Sequence, residues 1–195
     1  MVRILLAGQG GQGVLSAGQF LANSGLHEGK EVSYLPAYGP EMRGGTANCA
    51  VIISEEEIAS PLCTTPDVLI ALNSPSFHRF APAVKSGGII LVNGSISDSF
   101  AGRDDVSVYT EEFLAGTYYD DVSVYDIPAN DIAIEAGDVR AANMVMTGAL
   151  CALTHVVQDK SIVNCLQQRF VGKPQVLAVN ERAFHMGAEA VAEKK

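Results

Sequence analysis

A glycine-rich hexapeptide near the start of the chain, Gly8–Gly13, constrains the fold more than any other feature of the sequence. It follows a short apolar run, Val2–Ala7, that is typical of a buried parallel strand. Behind it, apolar residues recur at helical steps over Val14–Leu26, and Glu31–Leu35 has the character of a second strand. A strand, a glycine turn, a helix and a strand in this order predict a βαβ unit.

The hexapeptide fits the pattern G-x-G-x-x-G, whose glycines allow a sharp turn and the close approach of a ligand. A helix that begins directly behind such a turn presents free N–H groups and the positive end of its dipole, which suit a phosphate or a carboxylate. A dinucleotide site also needs an acidic residue at the end of the second strand, and Ser33–Pro36 has none, which disfavours NAD. No Lys-Ser/Thr pair follows, so a P-loop is excluded. Two interpretations remain open: an anion or nucleotide site, and a tight turn that only packs against neighbouring protein.

A second unusual segment, Pro36–Asn48, contains two prolines and three glycines and predicts a long ordered loop. If the strands are parallel, it lies at the same sheet edge as the hexapeptide, where such folds form their ligand crevice. Arg43, beside two glycines, is a candidate fixed cation for a phosphate or carboxylate. A structural ion pair between Arg43 and Glu41 is the alternative. The candidate residues for ligand binding or subunit contact are Gly8, Gly10, Gly11, Gln12, Gly13, Arg43, Gly44 and Gly45.

The remaining segments predict a three-layer α/β/α fold with a mainly parallel, Rossmann-like sheet and a single domain over residues 1–195. Further strands are expected at Ala50–Ser54, Asp67–Leu72 and Ile89–Val92. Helices are expected at Ser74–Lys85, Pro128–Ala136, Ala141–Val157 and Ser161–Phe170, and from Pro174 onward. Ser74 is the expected N-cap of the first of these, with Pro75 at the first helical position.

One hexapeptide, Asp-Asp-Val-Ser-Val-Tyr, occurs twice, at Asp104–Tyr109 and at Asp120–Tyr125. Both copies alternate as a strand does, and two copies are too few for a repeat architecture. They predict a local hairpin or two short edge strands.

Composition narrows the class of function. The net charge of -9 and the lack of basic clusters disfavour a nucleic-acid partner. No apolar run is long enough for a membrane span, and the chain is expected to be cytoplasmic.

The four cysteines are scattered, which predicts reduced, mostly buried thiols rather than a metal or cluster site. No catalytic group stands out: the four histidines are isolated, His155 is expected to be a core residue, and Cys49 is expected in a buried strand rather than as a reactive thiol.

Four stretches together carry a family resemblance. In this order and spacing they resemble the gamma subunit, or gamma domain, of pyruvate, 2-oxoglutarate, 2-oxoisovalerate and indolepyruvate ferredoxin oxidoreductases. The similarity spans nearly the whole chain, except for residues 97–121. The stretches are Gly8–Val14, Tyr38–Gly45, Pro66–Leu72 and Asn143–Leu150.

The resemblance implies a role in the oxidative decarboxylation of a 2-oxoacid with coenzyme A, which gives acyl-CoA, CO2 and reduced ferredoxin. It implies that thiamine diphosphate and the [4Fe-4S] clusters lie on partner subunits, of alpha, beta and delta type, and that ferredoxin is reached through the complex. In some members the gamma unit contacts coenzyme A, so coenzyme A is a candidate ligand here. The chain is then a non-catalytic subunit, and the isolated subunit could form a homodimer through its partner-facing surface.

Two other functions stay open from the residues. One is a free-standing module that binds coenzyme A or a nucleotide phosphate. The other is an independent nicotinamide or flavin oxidoreductase, against which the missing acid after the second strand argues.

Overall fold

The computed structural model describes residues 1–38, 45–95 and 121–192. Its centre is a six-stranded sheet in the order β2-β3-β1-β4-β5-β6. The strands are β1 (Val2–Gln9), β2 (Glu31–Tyr38), β3 (Thr46–Ser54), β4 (Val68–Ala71), β5 (Ile89–Asn93) and β6 (Ser123–Ile127).

Helices cover both faces of the sheet. They are α1 (Val14–His27), α2 (Ser74–Phe80), α3 (Ala129–Ala136), α4 (Ala142–Thr154), α5 (Asp159–Arg169) and α6 (Pro174–Ala192). Short 3-10 turns follow α2, at Ala81–Ala83, and precede α4, at Val139–Ala141. Within the described ranges, no helix combines the length and the apolar character needed to cross a bilayer.

The predicted α/β class with a mainly parallel sheet is confirmed, with one correction to the topology. β1 pairs in parallel with β4, and β4–β5 and β5–β6 are also parallel. β3 lies between β1 and β2 and is antiparallel to both. β1 and β2 therefore run in the same direction, as a βαβ unit requires, but they are not neighbours.

The long loop predicted over Pro36–Asn48 is wrong at both ends, because β2 continues to Tyr38 and β3 begins at Thr46. Pro36 lies inside β2 and pairs with Cys49. β2 is an edge strand of the sheet, where a residue without an N–H group is tolerated. The connection between these two long paired strands is therefore shorter than predicted.

Alternate side chains of each central strand enter two separate cores. Ile4 and Leu6 of β1 join the larger core, under α1 and α3–α6. Leu5 and Ala7 join the smaller core, under Phe77 of α2. Both cores are fully apolar along β1 because a strand with helices on both faces has no solvent side.

Several helix boundaries differ from expectation. α2 ends at Phe80 rather than Lys85, because Pro82 cannot continue its hydrogen bonding and a 3-10 turn follows. Asn73, not Ser74, is the N-cap: its Oδ1 accepts from the Ser76 N–H at 2.9 Å. The helix expected over Ala141–Val157 is confirmed in its middle, as α4.

His155 does not lie inside α4 and is not a core residue. It is exposed and caps the helix with a left-handed φ of 51°. The second Asp-Asp-Val-Ser-Val-Tyr copy contributes to β6, as expected for an edge strand. The first copy lies outside the described residues.

α4 and α6 pack closely through a pair of glycines. A Cβ atom on Gly148 of α4 would overlap the carbonyl oxygen of Phe184, and one on Gly187 of α6 would overlap that of Val145. The two helix backbones therefore approach each other at a distance that no larger residue permits.

We expect Gly187→Ala to lower the free energy of unfolding by about 3 kcal/mol, since the added methyl group pushes the two helix backbones apart. Helix propensity alone predicts the opposite sign, because alanine is the better helix former. Equilibrium urea unfolding of the two chains measures the difference. Ala178→Gly, at an exposed position of α6, is the control and should cost only about 1 kcal/mol. A Gly187→Ala chain as stable as the parent would contradict the close packing.

Candidate functional site

The glycine loop joins the end of β1 to the first turn of α1. Gly11 has a φ of 101° and Gly13 a φ of 77°, which residues with a side chain rarely adopt. Gly13 is the N-cap of α1 and supplies no side-chain cap, so the first N–H groups of the helix have no side-chain partner from that position. The predicted arrangement of strand, glycine turn and helix start is confirmed.

Gly8 and Gly13 are also required by packing. A Cβ on Gly8 would lie 2.8 Å from both the Gln12 Oε1 and the Val14 Cγ2 atoms. A Cβ on Gly13 would lie 2.6 Å from the Nδ2 atom of Asn143. A Cβ on Gly11 would meet nothing within 4 Å, so this glycine faces open space. Part of the motif thus serves packing, and part leaves the backbone accessible.

The Gln12 side chain fastens the loop to the neighbouring strand. Its Oε1 accepts from the Gln9 N–H at 2.7 Å and from the Asn73 side-chain amide at 3.0 Å. Its Nε2 donates to the Leu72 carbonyl at 3.0 Å. Gln12 therefore links the carboxyl ends of β1 and β4 and the N-cap of α2. The sequence predicts Gln12 as a ligand-binding or subunit-contact residue, and its hydrogen bonds in the structure are to the protein itself.

A second amide holds the other end of the loop. Asn143, at the start of α4, donates from Nδ2 to the Gly13 carbonyl at 3.1 Å. The Asn143 carbonyl in turn accepts from the buried Thr147 hydroxyl at 2.8 Å. Asn143 was visible only as the first residue of a family-like stretch, and nothing in its local pattern connects it with a loop 130 residues away.

The second predicted loop, Pro36–Asn48, contacts the glycine loop through Gly45. The Gly10 N–H donates to the Gly45 carbonyl at 2.9 Å, which confirms that the two segments meet at one sheet edge. Arg43 and Gly44 lie outside the described residues, as does Glu41.

A cavity of about 630 Å³ lies between the glycine loop, α1 and the β2–β3 pair, and this volume suits a small organic ligand. The Tyr34 hydroxyl borders it and donates to the Leu15 carbonyl at 3.2 Å, which ties β2 to the first turn of α1. Its described lining carries no charged side chain: Gln9, Gly10, Gly11, Gly13, Leu15, Ser16, Gln19, Tyr34, Pro36, Gly45, Thr46 and Ala47.

Cationic side chains stand around a neighbouring 610 Å³ groove, which shares Gly13, Ser16 and Gln19 with this cavity. Arg169 and Lys173 line this groove with Arg140. Arg140 donates from Nε to an Asp138 carboxylate oxygen at 2.9 Å, and these hydrogen bonds lower the pKa of Asp138 to about 2. Arg140 is therefore already neutralised by its neighbour.

The described thiols do not form a catalytic or metal site near the loop. Cys49 lies in β3, as expected, and burial raises its pKa to about 12, which keeps the thiol protonated. Burial likewise raises the pKa of Cys151. In the part of the chain that the structure describes, no three His, Cys, Asp or Glu side chains come together as metal ligands.

The fold and the site define an α/β protein with a backbone-built loop at the carboxyl edge of its sheet, and the described lining of the cavity beside this loop carries no charged side chain. The family described as pyruvate ferredoxin/flavodoxin oxidoreductase matches residues 3–190, and the chain belongs to this family. The resemblance inferred from the sequence is thereby confirmed.

Relatives and solved structures agree with this assignment. The chain is 42% identical, over 96% of its length, to ketoisovalerate oxidoreductase subunit VorA of Methanothermobacter thermautotrophicus, and spans 36% of that protein. It is 35% identical, over 82% of its length, to 2-oxoglutarate synthase subunit KorC of Methanocaldococcus jannaschii, of which it spans 78%. The gamma subunit of a keto/oxoacid ferredoxin oxidoreductase from Geobacter sulfurreducens superposes with a TM-score of 0.77, at 26% identity and 99% coverage of both chains.

A further solved structure was determined with ligands. The 2-oxoglutarate:ferredoxin oxidoreductase of Magnetococcus marinus, with 2-oxoglutarate, coenzyme A and succinyl-CoA bound, superposes with a TM-score of 0.81 at 27% identity. The match covers 98% of this chain and 31% of that one. The chain thus spans about a third of the length of this protein and of VorA.

We expect Gln12→Leu to lower the free energy of unfolding by about 2 kcal/mol, because a near-isosteric apolar side chain leaves the Gln9 N–H and the Leu72 carbonyl without their partner. Urea unfolding measures the loss, and hydrogen exchange should show faster exchange of the Gln9 amide. Gln168→Leu, at an exposed position of α5, is the matched control and should change stability little. Equal effects of the two substitutions would show that the Gln12 hydrogen bonds do not hold the loop.

Proposed function

We propose that this chain is the gamma-type unit of a 2-oxoacid:ferredoxin oxidoreductase, in which it supports the CoA-dependent oxidative decarboxylation of a 2-oxoacid to acyl-CoA. The observation that carries the proposal is the family match over residues 3–190, together with relatives named as subunits of ketoisovalerate and 2-oxoglutarate enzymes. Residues 1–195 form one gamma domain in this proposal.

The reaction centre lies on other subunits or domains. Thiamine diphosphate and the [4Fe-4S] clusters belong to alpha-, beta- and delta-type partners, and electrons leave the complex through ferredoxin. Two observations support this division: burial keeps the Cys49 thiol protonated, and VorA and the Magnetococcus enzyme each contain about twice as much further chain as this chain covers.

The glycine loop is the proposed contact for coenzyme A or for a partner subunit. Gly11 leaves its backbone open to solvent, and the first turn of α1 presents N–H groups behind it, which favour an anionic group such as a phosphate. The 630 Å³ cavity beside the loop has room for part of such a ligand. Because its described lining is uncharged, Arg43, two residues before Gly45, is the proposed cation.

The assembly is tested by purifying the tagged chain from its own cells and assaying the eluate for 2-oxoacid-dependent reduction of a viologen dye. We expect co-purifying subunits that carry thiamine diphosphate and iron, and dye reduction that requires coenzyme A. A panel of 2-oxoacids then identifies the substrate. A chain that purifies alone and without activity would refute the proposal and favour the free-standing module that binds coenzyme A or a nucleotide phosphate.

The site is tested in the assembled complex with Arg43→Ala and Gly10→Val. We expect each to raise the KM for coenzyme A by about tenfold, because the first removes a charge-assisted hydrogen bond and the second adds a side chain where the loop meets Gly45. Arg182→Ala, at an exposed position of α6, is the matched control and should leave the KM unchanged. An unchanged KM in both variants, with the complex intact, would leave the loop only a packing role.

A further inference from the structure

A cluster of polar and nucleophilic side chains lies between α1 and α5, away from the glycine loop. The Cys165 Sγ atom is 3.4 Å from Nδ1 of His27, the last residue of α1. The Ser24 hydroxyl, fully buried, donates to the same sulfur at 3.4 Å. The proposed role in a 2-oxoacid oxidoreductase uses none of these three side chains.

The two contacts act on the thiol in the same direction. In the neutral imidazole whose Nε2 carries the hydrogen, Nδ1 accepts the hydrogen of the thiol and can take its proton. The Ser24 hydroxyl then donates to the sulfur while Nδ1 accepts the thiol hydrogen. Cys49 is in a different setting, because its Sγ atom lies 3.6 Å from the Val14 carbonyl oxygen, an acceptor that retains the proton on sulfur.

A polar groove gives small molecules a route to this cluster. A 540 Å³ cavity is lined by His27 and by Ser161 and Asn164, the α5 residues that flank Cys165 on its helix. Cys165 itself is 5% exposed and does not line the groove, which reaches it through the imidazole of His27.

The charged groups around the groove nearly balance. Glu28 accepts from the Gln158 N–H at 2.7 Å and forms an ion pair with Lys30 at 3.0 Å. Lys160 also lines the cavity, and Asp159 stands beside it at the start of α5. The imidazole of His27 is the group in direct contact with the sulfur, and Glu28 is paired with Lys30.

We propose that Cys165 is a reactive thiol of this chain, activated by His27, and that it is a site of oxidation by small hydroperoxides. The thiol proton moves to Nδ1 of His27, and the sulfur attacks one peroxide oxygen. An S–O bond forms and the O–O bond breaks, and the leaving oxygen takes the proton from His27. The thiol is oxidised to a sulfenic acid, and the hydroperoxide is reduced to an alcohol or to water.

The test uses the full chain with Cys63→Ser, which removes the half-exposed thiol and leaves three buried ones, Cys49, Cys151 and Cys165. Native protein is treated with iodoacetamide over a range of pH, and peptide mass spectrometry follows each cysteine. We expect Cys165 to be alkylated first. His27→Gln, which keeps a polar side chain but removes the base, should slow this alkylation about tenfold at neutral pH and move its pH profile upward.

His185→Gln, at an exposed position of α6, is the matched control and should leave the rate unchanged. Ser24→Ala provides an independent second variant and should also slow the reaction. With hydrogen peroxide, Cys165 should gain one oxygen atom, trapped by dimedone, before either other cysteine does. Labelling of all three thiols at equal rates, or a Cys165 rate that His27→Gln and Ser24→Ala leave unchanged, would overturn the proposal. These outcomes do not depend on complex assembly, so they are independent of the proposed oxidoreductase role.

Discussion

The side-chain amide of Gln12 is the interaction on which the loop edge of the sheet depends. It satisfies the Gln9 N–H, the Leu72 carbonyl and the Asn73 amide at the point where β1 and β4 end. The chain leaves these two strands in different directions, because α1 packs against the larger core and α2 against the smaller one. In open α/β sheets such a switch point is usually the ligand crevice. Here the Gln12 side chain lies at this point, where it hydrogen-bonds to the protein and lines a cavity of about 210 Å³.

The 630 Å³ cavity beside the glycine loop is the side that we propose for ligand or subunit contact. The cavity between α1 and the β2–β3 pair is bordered by Gly11 and Gly13, whose positive φ angles turn the loop backbone. The antiparallel insertion of β3 creates this side, since its first residue, Thr46, pairs with Gln9 at the very end of β1. In the proposed function this surface is the contact for coenzyme A or for a partner subunit.

Close packing by glycine recurs through the fold and explains part of the high glycine content. A Cβ on Gly18 of α1 would lie 2.5 Å from the Cys49 sulfur, and one on Gly25 would lie 2.9 Å from Val32 Cγ2. Gly148 and Gly187 have the same role between α4 and α6. In helices, glycine is unfavourable by about 1 kcal/mol relative to alanine, so these positions indicate that interhelical and helix–sheet distances outweigh local propensity.

The sequence by itself determined the order of the strands and helices, the glycines after β1 that favour a left-handed backbone, and the family. These three results follow from local periodicity, from backbone sterics and from motif spacing, respectively. The tertiary structure alone decided that β3 lies between β1 and β2, since strand pairing is a non-local choice that residue patterns do not encode. It also decided the partners of Gln12: Asn73 lies 61 residues away, and the amide could equally have faced a ligand. For the same reason His27 and Cys165, 138 residues apart, became neighbours only when α1 and α5 packed together.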